Sequence, residues 1–203
     1  MVLCTLGINT GLVLDIGYKE ATAIPIVDAV TLLDSAQFAP LGAKSIHYRI
    51  MDELIQRKAV IHENGEETPV DKTLDEAILE DIKIKTCFVT TIERGSLLAA
   101  QKLDDEKQHQ SAVECAITKP PPSVRFPFRG SKILKIPGSL RESVCEVLFE
   151  MYGEEHTLPT LIIDAILSCP MDCRRQLASN IVLIGGTAML AGFKHRLFKE
   201  IKH

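Results

Sequence analysis

The stretch NIVLIGGTAML (Asn180–Leu190) decides how the rest of the chain is read. Four apolar residues, Ile181 to Ile184, run straight into Gly185-Gly186-Thr187, and Met189, Phe193, Leu197 and Ile201 then recur four apart. The pattern predicts a buried strand, a tight turn and an amphipathic helix. Paired glycines let the backbone approach a flat or anionic ligand, and the first N–H groups of a following helix have no intrahelical partner. An ordinary strand-to-helix turn accounts for the same residues, so the reading needs a second feature.

Asp15-Ile16-Gly17 supplies it. A carboxylate at the end of a strand, followed by glycine in a hairpin, can hold Mg²⁺ through water and let phosphates approach the backbone. Gly11 to Asp15 reads as that strand, and Ala21–Val27 and Val30–Asp34, joined by a turn at Asp28-Ala29, extend it into a meander. Ile46, Ile50, Met51, Leu54 and Ile55 space a helix over 45–58, with Gly42 as a turn ahead of it. The acidic stretch 61–76 reads as a solvated loop. Leu74, Ile78 and Ile82 mark a helix ending near Lys85, and Cys87-Phe88-Val89 is the start of a strand or a buried helix end. The charged run KLDDEKQHQ (Lys102–Gln110) predicts an exposed loop. Pro120-Pro121-Pro122 reads as a connector between strands more readily than as a polyproline ligand.

Ser131–Ile136 alternates as a strand. Ser139 and Glu142 have the spacing of a capping box before a helix carrying Leu140, Val144, Val147, Leu148 and Met151. Thr157 and Pro159 open another helix, and Asp172 is placed to cap a short one through Leu177. A strand meander followed by mixed helices and strands makes the chain α/β.

Composition narrows the function classes. The 203 residues are 46% hydrophobic and 25% charged with a net charge of −4, the range of an ordinary globular protein with a real core. Such a charge offers no basic field for nucleic acid, and no apolar run is long enough for membrane insertion. The N-terminus lacks the basic region of a signal peptide. Six cysteines (Cys4, Cys87, Cys115, Cys145, Cys169, Cys173) read as reduced thiols of a cytosolic protein. Cys169 and Cys173 have a spacing seen in metal sites, but no second pair or nearby histidine completes one. The chain starts in an apolar stretch and stops in or just after a helix, and so reads as a fragment.

In order and content, these motifs resemble the second half of actin and the actin-related proteins, over nearly the whole chain. Asp15-Ile16-Gly17 is similar to that family's second phosphate loop. Glu80 to Val89 (EDIKIKTCFV) is similar to its adenosine-pocket helix. Cys169 to Leu177, continuing through Asn180 to Met189, is similar to the run into its adenosine loop. The resemblance implies an actin-like ATPase fold of the ribonuclease-H-like type, mostly its second half. Residues 1–40 and 139–203 would be core, and 41–138 an inserted subdomain with loops 61–73 and 102–123. It also implies ATP or ADP with Mg²⁺ in the full-length protein, with no tight binding by this chain alone. The implied nucleotide residues are Asp15, Gly17, Lys83, Gly185, Gly186, Thr187, Met189 and Leu190, with Asp15 holding the metal through water.

Departures from the family pattern bear on mechanism. The phosphate loop reads Asp-x-Gly-Asp-Gly in the family and Asp15-Ile16-Gly17-Tyr18-Lys19 here. Thr22 stands where the family has a histidine that positions the attacking water. Ile84 replaces an acid beside Lys83, and Leu190 replaces an aromatic that lies on the base. The resemblance thus implies weak or absent hydrolysis and no enzymatic role. Within the family the phrases LGIN, LEDIK-x-KTCFV, PPP-x-V, ILKIPGSLRESV and NIVLIGGTAML lean toward the subunit that caps the pointed end of the actin-like filament in dynactin. That implies a structural role in the cytoplasmic cytoskeleton, with filament subunits and other pointed-end proteins as partners and dynein as an indirect one. The altered loops 61–73 and 102–123 would carry the docking surfaces. Two alternatives stay open: an active, polymerising actin-like ATPase, and a small-molecule kinase half-domain of the same broad fold.

Overall fold

The computed structural model describes residues 2–56, 59–61, 67, 68, 70, 74–106, 119–128, 132–150 and 156–202. The chain divides into two compact units, 1–45 with 148–189 and 197–203, and 46–147 with 190–196.

The first unit is built on a five-stranded sheet. A short helix α1 (Val2–Thr5) leads into β1 (Gly11–Ile16), which pairs antiparallel with β2 (Ala21–Val27). β3 (Val30–Thr31) and β4 (Gln37–Ala39) both pair with β2, and β9 (Ile181–Ile184) joins β1 in parallel. The β2–β3 hairpin turns through Asp28 (φ 49°) and Ala29 (φ 64°), the left-handed pair that matches strand twist, at the position the sequence predicts. The strand expected over Val30–Asp34 stops at Thr31, and Leu33–Ser35 coils into a 3₁₀ turn. Leu12, Leu14, Ile16, Ala21 and Ala23 are fully buried on one sheet face, against which α6 (Leu158–Leu167) and α7 (Met171–Ser179) pack. Thr157 caps α6 by accepting from the Thr160 N–H, and the Thr160 hydroxyl takes the Thr157 N–H in return. At α7 the N-cap is Pro170 without a side-chain bond, and Asp172 lies in the first turn, where its charge suits the helix dipole.

The second unit holds a four-stranded antiparallel sheet in the order β6 (Glu67–Thr68), β5 (Val60–Ile61), β8 (Lys132–Ile136), β7 (Val124–Phe128). Its helices are α2 (Ala43–Ile55, entering from the first unit), α3 (Glu76–Thr86), α4 (Ile92–Glu106) and α5 (Gly138–Ser143), the last continued by a 3₁₀ stretch Val144–Leu148. Cys87 is the C-cap of α3, so Cys87-Phe88-Val89 is a helix end.

Two expectations fail here. Lys102 to Glu106 close α4 and are not a loop, because Lys, Leu and Glu are good helix formers and charge by itself does not break a helix. Residues 107–118, like most of the 61–73 loop, lie outside the described residues. The capping box at Ser139 does not form. α5 starts at Gly138 with Pro137 as N-cap, and Glu142 instead takes a two-pronged bond from Arg94 (Nε–Oε2 2.6 Å, Nη2–Oε1 2.8 Å). A bidentate charged pair outweighs a neutral cap.

The helix expected directly after the Gly-Gly turn is also interrupted. A 3₁₀ turn Thr187–Met189 and a left-handed Gly192 (φ 82°) precede α8 (Phe193–Lys202). Phe193 and Leu197 are buried as the spacing predicts, whereas Met189 is 85% exposed.

Candidate functional site

The carboxyl ends of the parallel strands β1 and β9 bring the two glycine turns together. Asp15 lies level with Ile184 on one side and with Thr22 on the other. Residues directly opposed in a ladder share a face, so the Thr22 hydroxyl lies on the same side of the sheet as the Asp15 carboxylate. Gly185 adopts φ +95°, and a Cβ there would collide with the Ile16 carbonyl and lie 2.9 Å from Asp15 Oδ1. Thr187, 2% exposed, donates its hydroxyl to the Gly17 carbonyl at 3.3 Å. At Gly186 an added Cβ would meet nothing within 4 Å. Asp15, Gly17, Gly185, Gly186 and Thr187 therefore form one cluster, at the end of a parallel strand pair where α/β folds bind ligands.

The loop from Gly17 to Glu20 shows what its substitutions do. The Gly17 N–H donates to the Glu20 carbonyl at 3.0 Å, closing the hairpin. The Gly17 and Tyr18 carbonyls accept from the N–H groups of Ala43 (3.2 Å) and Lys44 (2.8 Å), the first two donors of α2. Those helix-end donors, of the kind that bind anions elsewhere, are thus used by the loop itself. Gly42 fits beneath the loop, with room for no Cβ beside either carbonyl. Among the described residues only Asp28 and Ala29 are non-glycines in the left-handed region, so Lys19 does not adopt the backbone that glycine permits. Sequence reading takes Gly42 only as a turn. The role of Ala43 and Lys44 has no sequence signal, because backbone N–H groups look alike in any residue.

The residues fit a magnesium-bound phosphate in part. Asp15 offers one carboxylate beside a close backbone turn, and Gly186 leaves open space. Tyr18, where the family pattern has a second acid, is 40% exposed. Thr22 can hydrogen-bond a water but cannot take up its proton near neutral pH. Among the described residues no group of three or more His, Cys, Asp or Glu is placed to hold a metal ion. A bound nucleotide would supply the transferable phosphate; Asp15, Gly185, Gly186 and Thr187 are the residues here that would orient it.

The close approach at Gly185 yields a stability prediction. Gly185→Ala combines a strained φ with a collision against Ile16 and is expected to cost about 1–3 kcal/mol. Urea unfolding of the two chains measures it, and an unchanged midpoint would show that the two turns do not touch.

Lys83 and Leu190 belong to the second unit. Lys83 is 3% exposed, and its ammonium donates to Glu80 Oε2 at 2.7 Å. The same oxygen faces His47 Nε2 at 2.9 Å, so Lys83 works inside a His47–Glu80–Lys83 cluster joining α2 to α3. The Glu80–Lys83 spacing is readable on one helix; His47 comes from another element and is not. Leu190 is buried, at 9% exposure.

Burial lowers the His47 pKa, and the Lys83 charge lowers it further, against Glu80, which raises it. Burial alone would raise the Glu80 carboxyl, but its bonds and charges with Lys83 and His47 more than offset this and leave it below the usual range. Both shifts act in one direction. Folding disfavours the protonated form of His47, so its contribution to stability is full above the unfolded histidine value of about 6.5 and falls as pH drops below it. Glu80 adds a second loss below the ordinary carboxylate range. Denaturant midpoints between pH 7 and 5 are expected to fall, and His47→Gln should flatten that segment while leaving the loss below pH 4.5 in place.

The family model described as Actin matches residues 3–203. Actin-related protein 10 of Dictyostelium discoideum is 24% identical over 217 aligned residues, covering 95% of this chain and 43% of that protein. Actin-related protein 3 of Oryza sativa subsp. indica is 27% identical over 201 residues, covering 95% of this chain and 41% of that protein. The Oryza sativa subsp. japonica protein of the same name gives the same values, 27% over 201 residues. The chain thus spans less than half the length of these relatives. Among the described residues no helix is long and apolar enough to cross a membrane.

Proposed function

The chain belongs to the actin family, and from that premise we propose that it is part of a structural actin-related subunit at the pointed end of the dynactin filament, with little or no ATP hydrolysis. The observation that carries the reading is the loop Gly17–Glu20. Its second acid and second glycine are Tyr18 and Lys19, and its carbonyls are tied to the start of α2. Packing around the site survives while the groups that handle metal and water are reduced to Asp15 and Thr22. A protein kept for its shape keeps that combination. The likeness to actin-related protein 10 along 95% of this chain supports the same assignment.

The partners under this reading are the filament's actin-related subunits and the other pointed-end proteins, with dynein reached through the complex, in the cytoplasm. The adjoining Asp15 and Gly185 turns favour retained nucleotide binding in the complete protein, as a structural ligand. Tagging the full-length protein in cells and purifying dynactin tests the proposal. Stoichiometric recovery with the pointed-end subunits supports it. Absence from that complex, together with polymerisation and phosphate release by the purified protein, would favour the active-ATPase reading instead.

A further inference from the structure

The residues that the family likeness assigns to a nucleotide divide by what their side chains are doing. Asp15 is half-buried at the end of β1, beside the glycine turn and the open space at Gly186. Its carboxylate suits a magnesium-bound phosphate chain. The other polar members are committed elsewhere. Thr187 is buried, and its hydroxyl donates to the Gly17 carbonyl at 3.3 Å. Lys83 is buried too, and its ammonium donates to Glu80 Oε2 at 2.7 Å, an oxygen that also faces His47 Nε2 at 2.9 Å. A buried ammonium is costly to separate from its carboxylate, so Lys83 is held for the α2–α3 cluster. The remaining members have no group that reads a base edge. Ile84 and Met189 are exposed and Leu190 is buried, and none of these side chains carries a strong donor or acceptor. Gly185 and Gly186 have no side chain to offer.

We propose that this protein recognises the phosphate chain and not the base: it takes magnesium complexes of nucleoside di- and triphosphates as a class and does not distinguish adenine from guanine. The inference rests on the nucleotide binding proposed above for the complete protein and deepens it by naming the ligand class. Base selection works through polar groups that are left unpaired when the wrong base enters, and sites built that way discriminate by about 10⁴-fold or more. Side chains that are apolar, or already satisfied within the protein, impose no such penalty. Lys83 and Thr187 keep their internal partners whichever base is present, and Ile84, Met189 and Leu190 meet either purine through carbon and sulfur alone. What remains to fix the ligand is Asp15 with its cation and the backbone of the glycine turn, and these meet the same phosphates in every nucleotide.

The test is displacement of radiolabelled ATP from the complete protein, in Mg²⁺, by unlabelled ATP, GTP and inorganic tripolyphosphate. ATP and GTP should displace the label with Kd values within about tenfold of each other, and tripolyphosphate should compete. Asp15→Asn should weaken ATP and GTP by one common factor, about tenfold or more. Ile84→Ala, an exposed change, should leave both affinities where they were. GTP weaker than ATP by more than about tenfold, or tripolyphosphate unable to displace the label, overturns the inference while nucleotide binding itself stands. Failure to retain labelled ATP at all removes the nucleotide-binding reading, and this inference with it.

Discussion

Replacing Arg196 with methionine is expected to destabilise the second unit by about 3–5 kcal/mol. Arg196 and Glu146 have side chains 5% and 2% exposed, and they meet at 2.9 Å (Nη2–Oε2) and 3.2 Å (Nη1–Oε1). Nη1 also donates to the Thr90 and Thr91 carbonyls at 3.1 and 2.9 Å. Methionine approximates the length of the side chain but supplies no donor, so the Glu146 carboxylate stays buried without its guanidinium, and two carbonyls lose a donor. The α4 backbone is shaped to this pair: a Cβ at Gly95 would lie 2.5 Å from Glu146 Oε2 and 2.6 Å from both terminal nitrogens of Arg196. Chemical denaturation followed by circular dichroism measures the loss. Arg196→Met combined with Glu146→Leu should recover much of it, because an apolar pair of similar volume removes the uncompensated charge. If the single and double variants unfold at the same denaturant concentration, the pair contributes through packing alone.

Under the proposed function, restoring the family pattern at positions 18, 19 and 22 is expected to raise ATP hydrolysis by about 10²- to 10⁴-fold in the complete protein. The changes are Tyr18→Asp, Lys19→Gly and Thr22→His. The first returns a second carboxylate near Asp15, and the second frees the backbone to adopt a positive φ. The third places an imidazole across the ladder from Asp15, where Thr22 now sits. Because the Tyr18 carbonyl already receives the Lys44 N–H at 2.8 Å, the backbone of the loop has an anchor that the substitutions do not remove. Phosphate release at saturating ATP is the measurement. A triple variant no faster than the parent would mean that hydrolysis is limited elsewhere, and the loop would lose its place as the explanation.

Much of the fold is legible because its signals are local. The Asp28-Ala29 hairpin, the Thr157 cap and the β1 and β9 strands each rest on a few neighbouring residues and a fixed period. The two glycine turns of the site were legible for the same reason, as short runs that only certain backbones accept. Long-range competition hid the rest. Ser139 and Glu142 have the spacing of a cap, yet Arg94, 48 residues away in sequence, takes the carboxylate. Lys102–Glu106 reads as loop by charge and is helix because the preceding turns of α4 are already committed.

From the amino-acid order alone came the α/β class and the family likeness, and with that likeness the expectation that Tyr18, Lys19 and Thr22 stand where an acid, a glycine and a histidine would. Only the folded chain decided that Gly185 lies against Asp15, that α2 spends its first N–H groups on the Gly17 and Tyr18 carbonyls, and that Lys83 answers to Glu80 and His47. The reason is physical. A residue's own chemistry and period are written beside it, whereas the partner that satisfies a buried charge or a backbone donor is chosen by whichever group the finished packing brings within hydrogen-bonding distance.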